Sequence, residues 1–129
     1  MKGVVILDRD PNSGVLSFDL RDVLALLGED GVRSAWTVRG VECLGGDAAF
    51  ALHHASEAGE VLAGHRLAEL ARDVGQIVEG EFSGRLPDED SDWITIRAVD
   101  SSAFDVQTDR EDVFRSLKAT FKRVDDLAG

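Results

Sequence analysis

Cysteine is almost missing from this chain: Cys43 stands alone among 129 residues. One thiol excludes an internal disulfide framework and a multi-cysteine zinc site, and it fits a reducing compartment. Proline occurs only twice, so no Pro-rich linker divides the sequence. Long apolar runs are absent as well. Behind Lys2, only Val4, Val5, Ile6 and Leu7 form a compact apolar stretch before Asp8 interrupts it. That is too short for the apolar part of a secretory signal and far too short for a membrane span. These absences point to a cytoplasmic protein.

Basic residues are scarce, with 14 Lys and Arg against 25 Asp and Glu and a formal net charge of −11. From Glu81 to Asp112 ten acids (Glu81, Asp88, Glu89, Asp90, Asp92, Asp100, Asp105, Asp109, Glu111, Asp112) meet only Arg85, Arg97 and Arg110, a local net charge of −7. Such a field repels phosphate backbones and anionic lipid, which argues against nucleic acid and membrane as direct partners. It attracts a basic protein surface, although simple solvation explains an acidic face equally well. Catalytic signatures are lacking too. Gly45-Gly46-Asp47 and Gly64-His65 open helical patterns without a P-loop or dinucleotide fingerprint, and Ser83, Ser101 and Ser102 lack a Gly-x-Ser-x-Gly elbow.

What is present suits one globular domain over residues 1–129, with 43% apolar and 30% charged residues. Val4–Leu7 reads as a strand, followed by a turn through Pro11, Asn12 and Gly14. Leu20, Val23, Leu24 and Leu27 then recur at helical spacing, with Ser17 or Asp19 to cap the start and Gly28 to end it. In "SAWTVRGVECL", residues 34–44, Trp36 and Val38 alternate on one face, and Val41 and Cys43 fall in the opposite phase. A β-bulge at Gly40 brings all four back together.

Two helices should follow, Asp47 to about Ala58 and His65 to Val74, packed as a hairpin. "QIVEGEFSGRL" alternates as a strand with Val78, Phe82 and Leu86 inward. It pairs with "WITIRAV", whose Ile94, Ile96 and Ala98 continue the core face, in a register that sets Glu81 opposite Arg97 and Glu79 on the diagonal. Phe104 and Val106 suggest a further strand. Thr108-Asp109-Arg110-Glu111 spells a capping box for a last helix with the stripe Phe114, Leu117, Phe121 and Val124. The expected class is α+β: an antiparallel or mixed sheet of about five short strands with about four helices mainly on one face.

Several clusters could carry chemistry. "ILDRDPNSG", residues 6–14, ends an apolar strand in Asp-x-Asp and so resembles the first motif of haloacid-dehalogenase-type phosphotransferases. That resemblance implies Asp8 as nucleophile and Asp10 as proton carrier, on a fold of repeated βαβ units that this chain does not spell. The same stretch places Asp8, Asp10, Asn12 and Asp19 at positions 1, 3, 5 and 12 of an EF-hand-like calcium loop. Position 6 is Ser13, with Gly14 one place late, and a strand precedes the loop where a helix belongs. His53 and Glu57 stand one helical turn apart, with His54 or His65 near enough in sequence to add a metal ligand. Cys43, ahead of a helix N-terminus with His53 beyond it, is a candidate nucleophile if exposed. Glu79 and Glu81 project from one strand face beside Arg97 and form a candidate protein-binding site.

These features favour a non-enzymatic protein-interaction or regulatory domain, monomeric or homodimeric and without a cofactor. It shares only composition with small acidic immunity and antitoxin proteins. The alternative is a small-molecule or metal-binding domain, catalytic or not, using Asp8/Asp10 or the Cys43/His53 region.

Overall fold

Alternation governs the architecture. In the computed structural model, which describes residues 1–127, every β-ladder is antiparallel and all strands join one sheet of order β3-β2-β4-β5-β6-β1-β7. The elements in chain order are β1 (Lys2–Ile6), α1 (Leu20–Leu26), α2 (Gly28–Arg33), β2 (Ala35–Leu44), α3 (Gly46–Ala58), β3 (Val61–Ala63), α4 (Gly64–Asp73), β4 (Gln76–Arg85), β5 (Ile94–Val99), β6 (Ala103–Thr108), α5 (Glu111–Thr120) and β7 (Val124–Asp126). Val4 and Ile6, Ile94, Ile96 and Ala98, and Phe104 and Val106 lie on one sheet face. They share one core with Leu20 and Val23 of α1, Leu52 of α3, Leu67 and Leu70 of α4 and Leu117 of α5. The result is a single α+β domain with its helices gathered over the apolar face.

The expected bulge in β2 is present. Gly40 takes φ +58°, the ladder with β4 slips after Arg39, and Trp36, Val38, Val41 and Cys43 are all buried. A second slip, between the pairs Glu42–Glu79 and Cys43–Ile77, changes the phase of β4. Ile77 therefore enters the core in the place expected for Val78, while Phe82 stays inward and Leu86 lies beyond the strand end.

Among the described residues seven strands replace the expected five, and five helices the expected four. The additions β3 and β7 have three residues each, too few to display a periodic pattern. β3 also separates α3 from α4, so the two are not joined as a simple hairpin. Helix α5 begins at Glu111 behind Arg110, whose side chain makes no cap bond, because buried Thr108 ends β6 and donates to the Trp93 carbonyl (2.7 Å). The capping box belongs instead to α1, where Asp19 accepts from Leu20 N (2.7 Å) and Asp22 accepts from Asp19 N (2.8 Å). Val124, expected on the last helix, sits in β7.

The short helix α2 is held from below and from the side. Trp36, fully buried, donates its indole N–H to the Gly31 carbonyl (2.9 Å). Ser34 donates to the Asp30 carbonyl (2.6 Å) and accepts from Trp93 Nε1 (2.9 Å). Arg110 stacks its guanidinium 4.6 Å above the Trp93 ring and pairs with the Asp30 carboxylate at 2.8 Å. Across from this, the first residue of α4 is Gly64, where a Cβ would run into the backbone carbonyls of Gly31 and Val32. Gly64→Ala should therefore force α2 and α4 apart and cost about 2–4 kcal/mol in urea denaturation. Gly40→Ala meets open space and should cost only the left-handed backbone penalty of about 1–2 kcal/mol.

Candidate functional site

Among the described residues α1, α3, α4 and α5 bury apolar side chains in the core on the apolar face, and no helix packs on the opposite face of the sheet. Its side chains are the odd-numbered set of β5, β6 and β1, and the register aligns them in rows across the strands. One row runs Arg39, Glu81, Arg97, Asp105, Val5 and Asp125, from β2 through β4, β5, β6 and β1 to β7. The next runs Thr37, Ser83, Thr95, Gln107 and Gly3, in which Ser83 and Thr95 share a hydroxyl hydrogen bond of 3.1 Å. Small and polar side chains give this second row low relief, and the first row borders it with alternating charge.

Glu81 is the centre of the charged row. Its carboxylate lies 3.5 Å from Arg39 Nη1 and 3.9 Å from Arg97 Nε. The facing of Glu81 and Arg97 read from the alternation is therefore present in the ladder. Both arginines are more than half exposed, so each pair adds little net stability and its charges remain accessible to water or a partner. Glu79 is engaged elsewhere: it accepts from Asp100 N (2.6 Å) and ties down the β5–β6 turn. Arg39 and Asp105 complete the row, and their sequence signal is the polar phase of strands whose core phase is set by Trp36 and Val38 and by Phe104 and Val106.

Asp105 is half-buried, and burial pushes its carboxyl above the ordinary value while Arg97 pulls it back. The acids of the −7 segment are also gathered by the fold. Gly84, Ile94 and Thr108 are aligned across β4, β5 and β6, so the β4–β5 loop and the β6–α5 junction emerge at the same end of the sheet. Asp88, Glu89, Asp90, Asp92, Asp109, Glu111 and Asp112 meet there. Arg85, Arg110 and Lys2 pair with Asp92, Asp112 and Glu111. Among the described residues Asp88, Glu89 and Asp90 form no ion pair and stand exposed at the loop tip.

Three aspartates at the head of the chain hold backbone. Asp8 accepts from Lys122 N (2.8 Å) and Arg123 N (2.7 Å), clipping the segment that leads into β7 against the end of β1. Asp10 accepts from Asn12 N (2.8 Å) and Ser13 N (3.3 Å), an Asx turn. Asp19 caps α1 and also accepts from Ile77 N at the start of β4 (3.2 Å). Burial raises its carboxyl, and the bonds from Leu20 and Ile77 oppose that shift. Asp8, Asp10 and Asp19 thus serve separate junctions, Asn12 enters only through its backbone N–H in the Asp10 turn, and among the described residues no three His, Cys, Asp or Glu side chains converge as a metal-holding group.

Cys43 lies in the core, with Sγ 3.6 Å from the Ala49 carbonyl, and burial pushes its thiol up, away from the thiolate. His53 Nε2 lies 3.3 Å from the Cys43 carbonyl, and His54 approaches Glu60 at 3.4 Å. The helix therefore turns its two histidines toward different partners. No helix among the described residues is long and apolar enough to cross a membrane. Comparison with protein-family models, curated proteins and solved structures returns no match for this chain.

The charged row makes a measurable prediction. Because Asp105 titrates above its ordinary value of 3.8 in the folded protein, its charged form is disfavoured there. The associated stability is fully present below the unfolded value and is lost as pH rises through the folded one. Asp105→Asn should hence be more stable than the parent at neutral pH, with the gap closing toward about pH 3. Arg97→Ala should raise the Asp105 pKa further, read by carbon-detected NMR titration, while costing under ~1 kcal/mol of stability.

Proposed function

We propose that this protein is a non-enzymatic interaction domain that docks a basic protein surface on its uncovered sheet face, with the acidic sheet end beside it completing the contact. The observation that carries this reading is a sheet face on which, among the described residues, no helix packs. At the usual strand spacing, seven strands extend roughly 29 Å across, a width comparable to a standard patch of about 800 Å² per partner. Polar rows of low relief suit a partner that must also leave the surface soluble when free. The exposed acids at Asp88, Glu89 and Asp90 supply long-range attraction, and the row centred on Glu81 supplies orientation.

The sheet edges support the face as the docking surface. β3 and β7 offer three residues each, and β7 carries Asp125 and Asp126. Short edges resist pairing with another strand, and the charges of β7 add to that resistance. This reading predicts selective capture of a basic protein when the domain is used as bait in its native lysate at low salt. Raised salt should release that protein. A Glu81→Gln/Glu89→Lys/Asp90→Lys variant should fold with a nearly unchanged melting temperature, since all three sites are at least partly exposed and none has a left-handed backbone, and should lose the partner at least tenfold. Failure of any basic protein to enrich, or capture that is indifferent to both salt and the variant, would contradict the proposal.

A further inference from the structure

On the helix side of the molecule the charge pattern inverts. Helices α1, α2 and α4 enclose a groove of about 580 Å³. Leu24 and Ala25 from α1, Val32 from α2 and Ala68 from α4 form its floor. Arg21, Arg33 and Arg72 stand around it, with Glu29 as the one acid in the lining. Each helix contributes through residues three or four apart, so whole helical stripes face the groove. Gly28, at the junction of α1 and α2, adds no side chain to its wall. A chain with net charge −11 thus concentrates a local +2 around an apolar hollow.

The arginines are available to a ligand. Arg33 reaches Asp30 at 3.5 Å but keeps its side chain 60% exposed. Arg21 and Arg72 are exposed, and among the described residues neither belongs to an ion pair; the charge of Arg21 is felt by half-buried Asp19. Val32 is 52% exposed, an apolar side chain left toward the groove. The guanidinium group offers two parallel N–H donors matched to a carboxylate. Against an apolar floor, that combination selects a ligand with one anionic head and an apolar body.

We propose that this groove binds a small amphiphilic carboxylate, its hydrocarbon body on Leu24, Ala25, Val32 and Ala68 and its head held by Arg21 and Arg72. Size separates this occupant from a protein segment. The volume lies within the range of small-molecule sites, about 300–1,000 Å³, whereas a protein partner needs some 20–30 residues a side and nine line this groove. The site is independent of the sheet-face proposal, because it is built by the helices that cover the other side.

Decanoate below its micellar concentration is the probe, with decanol as the neutral counterpart of equal length, titrated into the isotopically labelled full chain and followed by amide NMR. Saturable shifts should concentrate in residues 20–33 and 64–73, with decanol at least tenfold weaker. Arg21→Gln/Arg72→Gln should weaken decanoate about tenfold and leave decanol unchanged, and Val32→Asp should weaken both. The proposal is overturned if shifts scatter over the surface, if decanol binds as well as decanoate, or if the double variant binds decanoate normally. An acidic amphipathic peptide that saturates the same amides more tightly than decanoate would also overturn it, in favour of a protein partner.

Discussion

Helix α2 exists because two tryptophans and a serine hold it. Its six residues, GEDGVR, include two glycines, each costing nearly 1 kcal/mol of helix propensity relative to alanine, and so short a helix does not persist alone. Trp36 binds its backbone from within the core, Ser34 binds the turn before, and Trp93 closes on Ser34 from the neighbouring hairpin. Arg110 then covers Trp93 and reaches the Asp30 side chain. Each buried hydrogen bond contributes on the order of 1 kcal/mol and the cation–π contact about as much. Together they join β2, β5, the start of α5 and α2 into one corner. Because α2 also supplies Glu29, Val32 and Arg33 to the basic groove, that groove depends on the same corner.

Much of this was legible where one pattern repeats over enough residues. The bulge at Gly40 follows from Trp36, Val38, Val41 and Cys43 falling in two phases of one strand, and the structure buries all four. The stripes of α3 and α4 and the facing of Glu81 and Arg97 follow from the same kind of periodicity. What escaped depends on distant partners. Asp8 reads as a metal ligand or nucleophile beside Asp10, yet its oxygens meet amides 114 and 115 residues away. Asp19 meets Ile77 across 58 residues. Helix α2, held by tertiary contacts, and strands of three residues have no local signature at all. Thr108 carries the letters of a cap but ends a strand, because its hydroxyl has a better partner in the Trp93 carbonyl.

The two surfaces proposed as functional arise from one division of labour. Period-two alternation puts the apolar side chains of every long strand on one face, and the helices must cover it. Covering it consumes their own apolar stripes and leaves the outer sides of α1, α2 and α4 to form a groove, with Val32 and Leu24 at its base. The polar alternates remain on the far side, where Glu81 orders Arg39 and Arg97 and where the acidic loop at Asp88–Asp90 projects alongside. Charge is separated accordingly: the groove is locally basic, while the sheet end is acidic. A protein partner on the sheet face and a small anion among the helices would therefore not compete for space.

If a basic partner docks on the uncovered sheet face, that face is free in the isolated protein and occupied in the partner's presence. Such docking is tested most directly by the labelling rate of a Thr95→Cys variant with a maleimide, since Thr95 lies at the middle of that face and native Cys43 is buried. Rapid labelling in buffer at every protein concentration, suppression in native lysate at low salt, and recovery at raised salt are expected. A thiol that is already blocked in buffer, or one whose rate the lysate leaves unchanged, would contradict docking on this face.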